Sequence, residues 1–144
     1  MGRGRFRLLA LDMDGTLYSS HSYVEELEKM IVALVAEMLG VSAETAAKRL
    51  AEAKSRALTT SASLDLLKIP RSEFYERLSQ MVEPARHIKP LLGVEDGLRR
   101  IKARGLKIAL HTNAGRALTK KVLSALGLRP DIFDIIAVSY THLT

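Results

Sequence analysis

LLALDMDGTL, residues 8–17, is an apolar run that ends in two aspartates, Asp12 and Asp14. Such a run is typical of a buried strand, and side chains two positions apart on a strand point to the same face. If the strand geometry continued to Asp14, the two carboxylates would lie close together, and their repulsion is costly unless a cation or hydrogen bonds compensate for it. A hard divalent cation prefers oxygen ligands, and Gly15 lets the backbone turn and offers an unobstructed N–H group to an anion.

Two other structures could account for the same residues. Asp14-Gly15 is a favoured pair for a two-residue hairpin turn, and this alternative stays open. An EF-hand calcium loop also begins Asp-x-Asp, but it needs Gly at its sixth position and Glu at its twelfth. Counted from Asp12, those positions hold Leu17 and Tyr23, so the EF-hand is excluded.

The composition is that of one globular domain without cysteine chemistry. The chain has 144 residues, of which 47% are hydrophobic, and this is enough for a domain with a core. The absence of cysteine excludes disulfides, thiolate catalysis and Cys-ligated zinc. No uninterrupted apolar run approaches the ~20 residues of a membrane span. We therefore expect a cytoplasmic protein without a membrane partner.

The net charge of +6 is compatible with phosphate-bearing partners. Arg3, Arg5 and Arg7 crowd the N-terminus, but the other basic residues are scattered and aromatic residues make up only 5% of the chain. Nucleic-acid binding is better supported by a basic stripe interleaved with aromatic side chains. We expect a small phosphorylated metabolite, and no nucleic acid, as the partner.

Residues 18–88 have the pattern of an all-helical segment. Apolar residues recur there at three- and four-residue steps, and Pro70 and Pro84 punctuate the region. Gly40 suits a C-cap, and Ser42 suits the N-cap of a second, Ala-rich helix. The predicted helices are at about 22–39, from Ser42 to about 58, 62–68 and 71–82.

From about residue 94 the chain alternates between helix and strand. Helices are predicted at about 94–104 and 115–126, and strands at 106–110 and 133–138. This alternation predicts a parallel sheet with covering helices, whose ligand site lies beyond the carboxyl ends of the strands. The fold class is therefore α/β, with a core made of residues 1–17 and 89–144 and a helical cap of residues 18–88 inserted between them.

Polar residues follow two of the predicted strands, at Asp12–Thr16 and at Thr112-Asn113. Alone, Thr112-Asn113 is better explained as the N-cap of the next helix. Together with the aspartate segment, the pair favours a shared anion site. His111 is interpreted as a packing or surface residue.

Asp12-Met13-Asp14-Gly15-Thr16 and His111-Thr112-Asn113 resemble the first and second motifs of the haloacid dehalogenase superfamily, over nearly the whole chain. Asp14-Gly15-Thr16-Leu17-Tyr18, the helical insert, Thr112-Asn113-Ala114 and the segment from Val122 to Asp134 resemble pyrimidine 5'-nucleotidase-like phosphatases. The resemblance implies a Rossmann-like parallel sheet with an inserted helical cap.

The resemblance also implies a Mg²⁺-dependent phosphomonoester hydrolase. Asp12 would be the nucleophile that forms an aspartyl-phosphate, and Asp14 would be the general acid and base. The Asp12 carboxylate and the Asp14 backbone carbonyl would bind Mg²⁺, while Gly15, Thr112 and Asn113 would bind the substrate phosphate. The substrate would be a nucleoside 5'-monophosphate or another small phosphometabolite.

Two other functions remain open at this point. A phosphosugar mutase or another phosphotransferase would share every motif, and a non-catalytic binding protein could retain the same residues.

Similar phosphatases carry a Lys or Arg and further acidic metal ligands on strands after the one predicted at 133–138. We therefore expect the chain to be a C-terminally truncated fragment with little activity alone and marginal stability. Residues 138–144 resemble translated adaptor sequence, which supports the same expectation.

Overall fold

The computed structural model describes residues 7–138. Strands β1 (Leu8–Asp12), β2 (Lys107–Thr112) and β3 (Ile135–Val138) form a parallel sheet in the order β1-β2-β3. Asp12 is paired with His111, and Thr112 with Val138. The predicted parallel sheet is confirmed. β1 pairs in parallel with β2, so the turn at Asp14-Gly15 does not join antiparallel strands and the hairpin alternative is wrong.

Six helices lie within the described range, and the predicted positions are close to the observed ones. They are α1 (His21–Leu39), α2 (Ala43–Ala57), α3 (Thr60–Leu66), α4 (Arg71–Met81), α5 (Val94–Ala103) and α6 (Arg116–Leu126).

Side-chain caps explain where the first three helices begin. The Ser20 and Ser42 hydroxyls accept hydrogen bonds from the Tyr23 and Thr45 amides at 3.2 and 3.1 Å. Gly40 ends α1 in the left-handed conformation, at φ 67°. The third helix begins earlier than predicted because the Thr59 hydroxyl accepts from the Ala62 amide and caps it.

Two helices cover one face of the sheet. Leu98 of α5 and Val122 and Leu126 of α6 pack in one buried cluster with Ile108 and Leu110 of β2. Alternate side chains of β1 and β3 point away from this cluster, and on that side Leu8 is 49% exposed and Ile135 is 50% exposed. Within residues 7–138, the helices that the sequence predicts as covering therefore cover only one face.

Helices α1–α4 follow β1 in the chain and have their own buried cluster. Leu34, Leu64 and Phe74 are fully buried in it, and Leu118 of α6 belongs to the same cluster. The four helices thus pack against the sheet-bearing part of the chain through α6.

No single helix in residues 7–138 is long and apolar enough to cross a membrane, although α1 and α2, taken together as a pair bent by 103°, pass on length and composition.

Candidate active site

The carboxyl ends of β1 and β2 lie side by side and carry both polar motifs. The Met13 amide donates to the His111 carbonyl at 3.2 Å, which extends the strand pairing by one residue. The chain then turns, since the amides of Thr16 and Leu17 both donate back to the Met13 carbonyl. Strand geometry therefore does not continue to Asp14, and the strand alternation suggested by the sequence does not relate the two aspartates. Gly15 supplies the positive φ of 78° that the turn needs.

Asp14 accepts hydrogen bonds on both carboxylate oxygens. The Tyr18 hydroxyl donates to Oδ1. The Thr112 hydroxyl donates to Oδ2 at 3.4 Å, although the two residues are 98 positions apart in the chain. The fold thus brings a residue of the first motif into direct contact with one of the second.

Thr112 is fully buried and links this contact to the backbone after β2. Its hydroxyl oxygen also accepts from the Ala114 amide at 3.1 Å. The N-cap of α6 is Gly115, with no side-chain cap bond. The helix-cap alternative for Thr112-Asn113 is therefore wrong, because the threonine hydroxyl stabilises a tight turn that precedes the helix.

Tyr18 is a site residue that the sequence analysis did not single out. Burial, the hydrogen bond to Asp14 and the negative charges of Asp14 and Asp12 all raise the pKa of the Tyr18 hydroxyl. The hydroxyl therefore stays protonated at neutral pH and remains a donor. The sequence does carry a signal for this contact: Tyr18 follows Asp14 by four residues, and a single turn of the chain brings residues at that spacing together.

A second tyrosine packs behind the first. The rings of Tyr18 and Tyr23 meet edge to face, with centroids 5.6 Å apart. Burial and the charges of Asp14 and Glu26 raise the pKa of the Tyr23 hydroxyl, so it too stays neutral. Tyr23 connects the aspartate turn to α1.

The other predicted residues lie around the same turn. Asp12 is exposed at the carboxyl end of β1, and its charge acts on Tyr18. Asn113 follows β2 and lines, together with Asp14, a cavity of about 130 Å³ between the sheet end and helices α1 and α4. His111 is exposed, as expected of a surface residue. A separate cavity of about 250 Å³ includes Asp14 and Gly15.

A wider cavity lies away from these residues. It has a volume of about 860 Å³, runs along the outer side of α1 and is lined by Ser22, Glu26 and His87. Neither aspartate contributes to it, so its size alone does not make it the candidate site.

The oxygen donors at the turn suit Mg²⁺. In proteins Mg²⁺ is held by one or two carboxylates together with water and substrate phosphate oxygens. The Asp12 carboxylate and the Asp14 backbone carbonyl match that donor set in kind. Among residues 7–138 no three His, Cys, Asp or Glu side chains cluster as a metal site, so the protein ligands are few.

Lysine side chains of the described region are engaged elsewhere or lie away from the turn. Lys121 donates from Nζ to the carbonyls of Ser79 and Val82, where it joins α6 to the end of α4. Lys107 begins β2 at the opposite end from Thr112, and Lys120 is exposed on α6. None of these three lysines is therefore placed to serve the aspartate turn.

Comparisons with known proteins agree with this architecture. A model of haloacid dehalogenase-like hydrolases matches residues 6–142. The structure is similar to a HAD phosphatase from Thermococcus onnurineus, with a TM-score of 0.51 and 18% sequence identity over 92% of this chain. The chain spans 61% of the length of that protein. No curated protein sequence matches. The family match, which extends over almost the whole sequence, shows that this chain belongs to the haloacid dehalogenase-like hydrolases.

Proposed function

We propose that this chain carries the phosphomonoester-hydrolysing site of a haloacid dehalogenase-like phosphatase. The observation that supports it best is the contact between the Asp14 carboxylate and the buried Thr112 hydroxyl at the adjoining ends of two parallel strands. Ligands of open α/β sheets bind at this edge. The aspartates supply a nucleophile and a proton carrier there.

The first step transfers the phosphoryl group to the protein. An Asp12 carboxylate oxygen forms a bond to phosphorus while the bond from phosphorus to the alcohol oxygen breaks. Asp14, protonated for this step, gives its proton to the departing oxygen, so that a neutral alcohol leaves. The product is an aspartyl-phosphate on Asp12.

The second step releases phosphate. Asp14, now ionised, takes a proton from water, and the water oxygen bonds to phosphorus as the Asp12 oxygen leaves. Inorganic phosphate departs and both carboxyl groups return to their starting states. When bound to the Asp12 carboxylate and the Asp14 carbonyl, Mg²⁺ would neutralise charge on the phosphate oxygens.

The phosphate oxygens need donors, and the turn offers them. The Thr112 hydroxyl, which donates to Asp14 in this structure, can turn to a phosphate oxygen instead. The amides of Gly15 and Asn113 are proposed as further donors, since backbone N–H groups at a turn stabilise an anion. Gly15 suits this role because it has no side chain beside the amide, and the space where a Cβ would lie is open.

Residues 18–88 are proposed to act as a cap over this site, with residues 1–17 and 89–144 as the core. The cavity shared by Asp14, Asn113 and residues of α1 and α4 supports that arrangement. The proposed substrate is a nucleoside 5'-monophosphate, as in pyrimidine 5'-nucleotidase-like enzymes, or another small phosphometabolite in the cytoplasm. Neither nucleic acid nor a membrane is proposed as a partner.

Beryllium fluoride provides a test that does not depend on turnover, because it mimics a phosphoryl group bound to a carboxylate. We expect ¹⁹F NMR to show a bound beryllium fluoride signal that requires Mg²⁺ and disappears in Asp12→Asn. Asp131→Asn, which changes an exposed aspartate on another surface, is the matched control and should keep the signal. Binding that is equal in wild type and Asp12→Asn would contradict the proposal and favour a non-catalytic protein.

A further inference from the structure

We infer that the alcohol released by this site is small, uncharged and largely apolar, an inference that rests on the proposed function. The alcohol oxygen must lie within reach of the acid that protonates it, so the alcohol lies beside Asp14. The cavity of about 130 Å³ is lined by Asp14 and by Asn113, a proposed phosphate ligand. The cavity of about 250 Å³ also includes Asp14, but neither Asn113 nor any residue of α4 or α6 lines it, so the smaller cavity is the one that joins the acid to the second motif, and we place the alcohol there.

The volume of the cavity limits how much of the alcohol it can enclose. A cavity of about 150 Å³ holds one benzene molecule. A cavity of about 130 Å³ therefore accepts a group of about three to six carbon atoms. A nucleoside joins a ring at least as large as benzene to a ribose, so a large part of it would remain outside this cavity. Of the two substrate classes left open above, the cavity favours the smaller one.

The lining determines the polarity of the alcohol. Its apolar part comes from two segments of the fold that meet there, with Leu27 and Ile31 on α1 and Ala114 and Leu118 on and before α6. The Tyr75 hydroxyl, at the same cavity, is paired with the Ser61 hydroxyl at 2.7 Å. An alcohol with several hydroxyl groups would have to give up water for this largely apolar wall, at a cost in binding. An alkyl group would gain from the same transfer.

The negative charge in the cavity lining disfavours a second anionic group on the substrate. Asp14 is the one charged side chain among the described residues that line the cavity. A carboxylate or a second phosphate on the substrate would meet this negative charge, with no lysine or arginine beside it in the lining. The structure thus assigns the site to the phosphate monoester of a compact, neutral alcohol.

A series of phosphonates tests the inference by binding alone. In Mg²⁺ buffer, methylphosphonate, n-butylphosphonate, phosphonoacetate and uridine 5'-monophosphate are titrated into the full chain, and dissociation constants are taken from ¹H–¹⁵N NMR shifts. Each buried methylene strengthens binding by up to about fourfold. We expect n-butylphosphonate to bind at least about tenfold more tightly than methylphosphonate, and the other two compounds to bind no more tightly than methylphosphonate.

The outcomes separate this inference from the proposed function. Equal affinity for methyl- and n-butylphosphonate, or tighter binding of phosphonoacetate or of the nucleotide, would overturn the inference and leave the phosphate site intact. Failure of methylphosphonate itself to bind would contradict the proposed function, and the inference would fall with it.

A variant that fills the cavity tests whether the alkyl group of n-butylphosphonate binds there. Ala114→Leu adds three carbon atoms to the wall and should bring the affinity for n-butylphosphonate down to that of methylphosphonate. Ala103→Leu makes the same change on an exposed position of α5 and should keep the tenfold difference. A tenfold preference that survives Ala114→Leu would place the alkyl group elsewhere and overturn the inference.

Discussion

At the scale of single residues, the site depends on how the Asp14 carboxylate is held. The Tyr18 hydroxyl donates to one oxygen and Thr112 to the other. A strand pattern in the sequence predicts neither donor. Tyr18 reaches the carboxylate only because the chain turns after Met13, and Thr112 reaches it only because β1 and β2 pair. The carboxylate is thereby oriented before any substrate arrives, which is the condition for efficient proton transfer.

Comparing the pH dependence of unfolding in wild type and Tyr18→Phe tests whether the Tyr18 hydroxyl stays protonated in the folded protein. The raised pKa keeps the Tyr18 hydroxyl protonated in the folded protein, whereas an unfolded tyrosine ionises near pH 10. The stability that its protonated form contributes is present below about pH 10 and is lost as the pH rises further. Wild type should thus be about 1 kcal/mol more stable than Tyr18→Phe at pH 7.

The free-energy advantage of wild type should fall by about 1.4 kcal/mol between pH 9 and pH 11, which removes it and makes Tyr18→Phe slightly the more stable protein at pH 11. Urea unfolding at each pH measures it. A constant difference over this range would mean that the Tyr18 hydroxyl ionises in the folded and unfolded proteins alike.

At the scale of elements, one carboxylate adds to the backbone pairing that holds β3 to β2. The Ile108 amide donates to Asp134 Oδ2 at 2.8 Å, while the Asp134 amide donates to the Ile108 carbonyl at 2.8 Å. The bond from the Ile108 amide, followed by the nearby Lys102 charge, lowers the pKa of the Asp134 carboxyl. Its contribution to stability is therefore present above about pH 4 and is lost as the pH falls through the lowered pKa.

Asp134→Asn should be less stable than wild type at pH 7 and should lose less stability between pH 5 and pH 3. Thermal unfolding across that range measures the difference. If the stability of wild type and of Asp134→Asn fell equally over this pH range, the carboxylate charge would not stabilise the attachment of β3.

His87 ties together two segments of the chain, the one that follows α4 and the first turns of α1. Its Nδ1 lies 2.9 Å from the Ser22 hydroxyl, and its Nε2 lies 2.8 Å from a Glu26 carboxylate oxygen. We expect His87→Gln to lower the free energy of unfolding by about 1–2 kcal/mol, because both partners lose a charged or polar contact that is partly buried.

His21→Gln is the matched control for this change. His21 pairs with Glu25 at 2.9 Å, but its side chain is 90% exposed, so its loss should cost less than about 0.5 kcal/mol. Equal effects of the two substitutions in urea unfolding would show that His87 does not join the two segments.

At the scale of the whole molecule, one face of the sheet is left uncovered by helices within residues 7–138. Leu8 and Ile135 are half exposed on it. Contiguous exposed apolar surface favours association. Ile135→Thr keeps a β-branched residue in the strand and should lower both 1-anilinonaphthalene-8-sulfonate fluorescence and concentration-dependent association.

Leu92→Thr provides the comparison. Leu92 is 96% exposed but lies in the loop before α5, so its replacement should leave both signals unchanged. Sedimentation velocity and dye titration measure the two effects. A chain that stays monomeric and binds no dye would contradict this account of the sheet face.

Much of the fold was predictable because it is encoded locally. Gly40 and Ser42 marked helix ends through their own backbone and side-chain chemistry, and the apolar run before Asp12 marked a strand. Residues that act through distant partners were harder to interpret. Tyr18 was missed because its role depends on a turn, and Thr112 could be told from a helix cap only once β1 and β2 were paired.

The exposure of one sheet face was not predictable, since the apolar pattern of a strand does not say whether a helix packs on each side. Strand alternation would relate Asp12 and Asp14 only if the strand continued to Asp14, and this condition is not met. Alternation holds only while the strand lasts, and β1 ends at Asp12.

In the first step of the proposed reaction, Asp12 forms a covalent bond to phosphorus. Borohydride reduction of the chain during incubation with Mg²⁺ and phenyl phosphate, followed by peptide mass spectrometry, tests it directly, because an aspartyl-phosphate is reduced to homoserine. We expect homoserine at position 12, at a low yield because the chain alone is expected to have little activity, and an unmodified aspartate at position 14. Homoserine at position 14, or phenol release with position 12 unchanged, would contradict it.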